Sequence, residues 1–307
     1  MTAAVAERAP VRQRHIDFQT HEVRASLNRR SFAVSHQLAT HPLFALPRLI
    51  RLAQSTAEHR PDCLHFEAGR KDVAQGFDQT PTIHWPVDDT IRRMENAGAW
   101  IVVRHADREP DYAQLLEECI GELLEHAEPG LRCNIAGREV TVFITSPGFL
   151  TPYHIDRECN FLLQIRGEKT IHVFNGNDRE VVTQPELERL WTGDYSAGVY
   201  KPQFQDRSYA FLLQPGNGIH IPVHHPHWLQ NSDNVSVSLS VNFLFKDSIA
   251  GNLYRTNHFL RKVGISPLPP GQSKWRDELK RSVFTAAMGV VNAAPERFRK
   301  GVKRNLR

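Results

Sequence analysis

The residues most able to do chemistry lie in TPYHIDRECNFLLQIRGEKTIHVF, residues 151–174, where His154 and Asp156 stand two apart. On an extended strand, residues i and i+2 share a face, so both side chains can enter one interior. The chain holds sixteen histidines, so a histidine two residues before an aspartate carries little weight alone. A third ligand has to come from a later, neighbouring strand. IHIPVHHPHWLQN at 219–231 supplies His220, His225 and His227, of which His225 and His227 share strand parity. Two imidazoles and one carboxylate form the facial triad of non-haem Fe(II) sites, which leaves ligand positions open for co-substrate and oxygen.

The set around this pair resembles the JmjC-like cupins, among them the asparaginyl hydroxylase that acts on hypoxia-inducible factor. That pattern is TPxHxD followed by Asn, Gly and Lys, and the matching residues here are Thr151, Pro152, His154, Asp156, Asn160, Gly167 and Lys169. Its second half is a Pro-Gly turn, an apolar-Pro step and a histidine five residues on. These are Pro215-Gly216, Ile221-Pro222 and His227, followed by Val241-Asn242-Phe243. The match covers roughly residues 143–246. The resemblance implies Fe(II) held by His154, Asp156 and His227. It implies 2-oxoglutarate bound by Lys169 and Thr151 at its distal carboxylate and by Asn160 and Asn242 near its chelating end. Spacing from Pro222 selects His227 over His225, which is then expected either behind the ligands or, with Trp228, on a substrate-facing rim. The usual Pro-Gly-Asp turn is Pro215-Gly216-Asn217 here, and His224, His225 and Pro226 replace the aromatic residues usual before the distal histidine. No counterpart of the family's upstream tyrosine is found.

The elements that must position these residues are legible in outline. Residues 1–15 read as disordered. A helical pattern runs from Phe32 to about Arg60, with Pro47 in a first helical turn, where its missing N–H costs nothing. Asp88, Asp89 and Thr90 are set to cap a short helix through Met94. AWIVVRH at 99–105 is a compact apolar strand. In the next segment Leu115, Cys119, Leu123 and Leu116, Ile120, Leu124 form one apolar stripe of a helix. CNIAGREVTVFIT reads as a hairpin turning at Ala136-Gly137, and FLLQIRGEKTIHVF as another turning at Arg166-Gly167-Glu168. YAFLLQPGNGIHIP and VSVSLSVNFLF complete the strands, with a short helix at QPELERLW between. Two helices follow, the second with Trp275, Leu279, Val283 and Ala287 on one stripe that either packs on its own domain or seams a homodimer.

The expected fold is therefore mainly β with flanking α: a double-stranded β-helix (jelly-roll, cupin) core with N- and C-terminal helices. The domain reading is a disordered 1–15, a mixed region 16–130 packed on the barrel, a cupin core 131–248, and C-terminal helices 249–307 with a basic tail. That tail, PERFRKGVKRNLR, holds six basic residues and one acid within a chain of net charge +4. No aromatic interleaving accompanies it, so it reads as a solvated helix end rather than a nucleic-acid site.

Hydrophobic residues make up 40%, and no run approaches a membrane span. The charged N-terminus lacks a signal peptide's apolar core, so a cytoplasmic location is expected. Cys63, Cys119, Cys133 and Cys159 form no CxxC pair and read as reduced, buried thiols. The expected activity is oxidation of a C–H bond in a peptide or small molecule by O2, giving a hydroxylated or demethylated product. Two alternatives stay open. Cupins of other classes usually present HxH with a Glu and a further His, and the HxD at His154–Asp156 argues against them. A non-catalytic metabolite sensor would keep the barrel without turnover. GxSxG, P-loop and GxGxxG motifs are absent.

Overall fold

The computed structural model describes residues 14–68, 72–75, 86–246 and 250–293. Its strands are β1 (Ile16–Asp17), β2 (Phe32–His36), β3 (Leu64–Ala68), β4 (Ala99–Val103), β5 (Ile135–Thr145), β6 (Leu150–His154), β7 (Cys159–Arg166), β8 (Lys169–Val173), β9 (Tyr209–Leu213), β10 (Asn217–Ile221), β11 (His227–Asn231) and β12 (Ser236–Phe245). The α-helices are α1 (Thr20–Ser26), α2 (Leu46–His59), α3 (Val87–Arg92), α4 (Met94–Ala97), α5 (Pro110–His126), α6 (Leu131–Asn134), α7 (Gln184–Trp191), α8 (Ala250–Lys262) and α9 (Lys274–Ala293).

Two antiparallel sheets carry the molecule. The larger runs β1-β2-β10-β7-β12-β5-β4-β3, and the smaller β6-β11-β8-β9. From β5 to β12 the chain switches sheets at every step except β8 to β9, which pair in the small sheet. Leu162, Ile219 and Ile221 of the large sheet meet Ile171, Val173, Leu213 and Leu229 of the small one in an apolar layer. The opposite face of the large sheet, with Phe161, Leu163, Leu239 and Val241, packs against α2 and α5 through Leu49, Leu52, Leu116 and Ile120. Strands β7 and β12 are covered on both faces, which is why CNFLLQIR is apolar at consecutive positions and buried through Gln164 and Ile165. β8 and β11 are covered on one face and alternate buried and half-buried residues along their length.

Several expectations need correction. Phe32–His36 is a strand, not the start of a helix. Its burial alternates, and it pairs with β10, so tertiary pairing overrides a local helical pattern. CNIAGREVTVFIT is one continuous strand rather than a hairpin. Gly137 lies where the β5–β12 register shifts, at an irregularity and not a turn. The chain does turn at Gly167, but β7 and β8 go to different sheets, so Lys169 is not hairpin-paired with β7. Gly167 has φ +72, and a Cβ there would run into the Val235 carbonyl, so only glycine fits.

His15 is not disordered, because its amide and that of Ile16 donate to the buried Glu122 carboxylate at 2.8 and 2.9 Å. Asp88 and Asp89 sit in the first turn of α3 without capping it through a side chain. Cys119 and Cys159 are buried, whereas Cys63 is half-buried and Cys133 exposed. On α9, Trp275, Leu279 and Val283 are exposed rather than packed on their own domain. The side chain of Ala287, the remainder of the N-terminal segment before Arg14, and the basic tail lie outside the described residues. Pro47 in α2, the α5 stripe, β4 and α7 fall as expected. No helix among the described residues is long and apolar enough to cross a membrane.

Gly167→Ala should destabilise the protein by about 1–3 kcal/mol, the cost of forcing a side chain into a left-handed turn against backbone. Urea denaturation measures it, and an unchanged midpoint would contradict the geometry.

Candidate metal centre

The β6–β11 pairing sets His154 directly opposite His227. Their rings lie 4.1 Å apart between centroids. Asp156, just beyond the end of β6, places Oδ2 3.9 Å from His154 Nε2 and 3.6 Å from His227 Nε2. One ligand atom from each of the three lies within 4.8 Å of the others, close enough to share a single ion. Both imidazoles are oriented through their other nitrogen. His154 Nδ1 lies 2.8 Å from the Pro152 carbonyl oxygen and His227 Nδ1 3.0 Å from that of His225. A carbonyl can only accept, so each Nδ1 carries the proton and each Nε2 keeps its lone pair for a metal. Burial, and then the neighbouring His154, holds His227 down to about 4, so its imidazole is neutral at physiological pH, as metal ligation requires.

The triad opens on a cavity of about 620 Å³ between the sheets. Lys169, Thr151, Asn160 and Asn242 all line it, so the structure gathers every residue expected at a co-substrate site. Lys169 faces inward by parity with Ile171 and Val173 on β8. Only 5% of it is exposed, and among the described residues no hydrogen bond or ion pair reaches its ammonium group. Burial alone pushes Lys169 down to about 7. The Asn160 Oδ1 atom is likewise buried without a partner. Asn242 is engaged within the sheet. Its Oδ1 accepts from Ser240 Oγ at 2.8 Å, and its amide nitrogen points at Glu139 Oε1 at 3.4 Å.

Neither Trp228 nor His225 lines the cavity, and His225 stands behind the ligands, its carbonyl oxygen accepting from His227 Nδ1. Trp228 has the outward parity of β11, stacks on His172 at 4.1 Å and donates to Gln205 Oε1. His225 is buried with Nδ1 near the Val223 carbonyl. It packs so closely on Gly176 that a Cβ there would lie 2.9 Å from His225 Nδ1. His220, on β10 of the other sheet, contributes no ligand.

Sequence reasoning missed the cavity's second lobe. It continues along the large sheet past β5, lined by His65 and Glu67 of β3, Trp100 and Val102 of β4, Arg104, and Glu139 of β5. Glu139 shares parity with Thr141 and Phe143 of β5, which line the same cavity. Glu139 Oε2 lies 2.9 Å from His105 Nδ1. Glu158 also lines the cavity, and burial followed by the adjacent Asp156 carboxylate pushes it up. Tyr195, half-exposed on the loop after α7, closes the other side.

No known family model matches the chain. HSPB1-associated protein 1 of Rattus norvegicus is 30% identical over 124 residues, covering 34% of this chain and 24% of that protein. The Homo sapiens protein of the same name is 29% identical over 124 residues, with 34% and 23% covered. The match thus spans about a quarter of these relatives' length. Among solved structures, Escherichia coli YcfD aligns with a TM-score of 0.48 and 14% identity over 89% of this chain and 67% of that one. The same ribosomal oxygenase in complex with cobalt and 2-oxoglutarate aligns at 0.48 and 12% identity over 86% and 64%.

A buried ammonium without a counter-ion costs stability. Lys169→Met should therefore raise the stability of the ligand-free protein by about 1 kcal/mol or more. The sign with pH follows from the lowered value. Below about 7 lysine is protonated both folded and unfolded, and the full penalty is present. Between there and the ordinary lysine range the unfolded chain holds more protons, so wild-type stability from this group rises with pH and the advantage of methionine shrinks. Paired denaturation curves at pH 6.5 and pH 9 test this. A methionine variant less stable at both would contradict it.

Proposed function

We propose that this chain is an Fe(II)- and 2-oxoglutarate-dependent oxygenase of the JmjC-like cupin type, hydroxylating a C–H group of a peptide or small-molecule substrate. One observation carries the reading. A two-histidine, one-carboxylate cluster and a buried, unpartnered lysine face the same cavity. Four strand residues, roughly 13 Å, separate the level of His227 from that of Lys169 on the paired strands β11 and β8. A five-carbon diacid and a lysine stem together span such a distance. The switching of β5 to β12 between two sheets, at every step but β8 to β9, supports the same conclusion, since a double-stranded β-helix would wind in this way.

The residues present fit the groups. Neutral Nε2 atoms and a carboxylate suit a divalent first-row metal with open positions. The ammonium of Lys169 lacks an anion, and a dianionic co-substrate supplies one. Thr151, on β6 opposite Leu229, offers a hydroxyl on the way to Lys169. Asn160 has a buried oxygen left without a donor, a condition that costs about 1–3 kcal/mol until the amide turns onto a partner. Fe(II) held by His154, Asp156 and His227 would supply the oxidising chemistry: 2-oxoglutarate, O2 and R–H go to succinate, CO2 and R–OH. The chain's own part is to chelate, to hold the diacid by its far end, and to exclude water with the apolar layer between the sheets. The substrate would enter over the lobe formed by β3, β4 and the start of β5. A hydroxyl delivered to an N-methyl carbon would lead on to demethylation, and product analysis separates the two outcomes.

Purified protein supplied with Fe(II), 2-oxoglutarate and air should release succinate slowly even without substrate, as read by NMR. Asp156→Ala should abolish the release, and Lys169→Met should reduce it at least tenfold at limiting co-substrate. Binding of 2-oxoglutarate with no succinate under any condition would favour the sensor reading instead.

A further inference from the structure

The loop between β10 and β11, residues 222–226, has two tasks at once. It delivers His227 opposite His154, and the backbone amide of His224 donates to the Asp156 carbonyl oxygen at 3.1 Å. His224 does this at φ +65, a left-handed conformation that a side-chain-bearing residue adopts only when its surroundings hold it. From the α7 side, Trp191 Nε1–H donates to His224 Nε2 at 2.8 Å.

The other side is held by a residue almost two hundred positions away in the chain. Asn28, just after α1, is itself left-handed at φ +55, which asparagine tolerates better than most residues. Its Oδ1 accepts the Val223 amide at 3.0 Å. Its backbone N–H donates to Nε2 of the fully buried His220 at 3.0 Å. Because that nitrogen accepts, His220 carries its proton on Nδ1, which donates to the Asn160 carbonyl oxygen at 3.0 Å. One exposed asparagine therefore touches both the segment leading into His227 and, through one imidazole, the strand that carries Asn160.

We propose that Asn28 is a positioning residue for the metal centre, bracing Val223 and His220 so that the loop between them and His227 holds Asp156 and His227 in register. The inference rests on the metal-site reading above for its functional meaning, but the brace itself is a property of the polypeptide. Asn28 is at the surface and fills no core volume, so its replacement leaves the fold intact.

Two variants isolate the contact. Asn28→Gly keeps the left-handed backbone and deletes the acceptor, whereas Asn28→Asp keeps an acceptor of the same reach. In Co(II) titrations followed by visible absorption, Asn28→Gly should bind about three- to tenfold more weakly, the worth of one hydrogen bond. Asn28→Asp should stay within about twofold of wild type, with both thermal midpoints near the wild-type value. Amide hydrogen exchange of the metal-free proteins gives a second readout: the His224 N–H should lose protection in the glycine variant and keep it in the aspartate variant. Wild-type Co(II) affinity together with wild-type His224 protection in Asn28→Gly would overturn the proposal, as would equal losses in both variants. If the wild-type chain takes up no Co(II), the proposed function fails, and the His224 exchange pattern alone decides the brace.

Discussion

The register of β6 against β11 is the constraint on which the site depends. With His154 opposite His227, two imidazoles meet at one end of the small sheet, and Asp156 needs only to reach round the strand end to complete the set. A one-residue slip would exchange every side chain of β11 between faces, sending His227 outward and Trp228 into the cavity. The sheet protects against such a slip by burying His227, Leu229 and Asn231 on one face while Trp228 is stacked and hydrogen-bonded on the other. Asn231 strengthens the lock, since its amide donates to Thr145 Oγ1 at 2.7 Å and to the Ser146 carbonyl at 2.9 Å across to the large sheet.

Around this register the interior departs from what stability alone would choose. The layer between the sheets is apolar at Ile171, Leu213, Ile219 and Leu229, yet at the cavity it admits an ammonium, two amides and several carboxylates. Groups of this kind are costly when unpaired, and local rules of packing are most often broken at functional sites. The helices on the far face of the large sheet bear the compensation. Leu38, Leu52, Ile101, Ile120 and Leu123 are almost completely buried there, and none of these five lines the cavity. The molecule thus separates a stabilising layer from a reactive one, with β7 and β12 serving both.

How far this was legible in the sequence depends on how local each signal is. Period-two parity puts His154 and Asp156 on one face, motif spacing selects His227, and the family resemblance points to Lys169; the structure brings all four to one cavity. The helix α5 was legible because its stripe repeats over several turns. What failed required knowledge of partners. β2 has a weak local pattern and becomes a strand by pairing with β10. The glycine at 137 looks like a turn but marks a register shift against β12. Trp228 was placed on the rim by proximity to His227, although its parity alone points it outward. The second lobe stays hidden because β3 becomes a strand by pairing with β4, which no local pattern announces. The brace from Asn28 to Val223 links positions too distant in sequence for any local pattern to register.

The central claim is that the triad and Lys169 serve one bound metal–diacid pair, and an anaerobic titration with Fe(II) and then 2-oxoglutarate tests it most directly. The account predicts a visible metal-to-ligand charge-transfer band that saturates at one equivalent, disappears in Asp156→Ala and needs much more diacid in Lys169→Ala. A folded, Fe(II)-loaded protein that forms no such band at any 2-oxoglutarate concentration would contradict it.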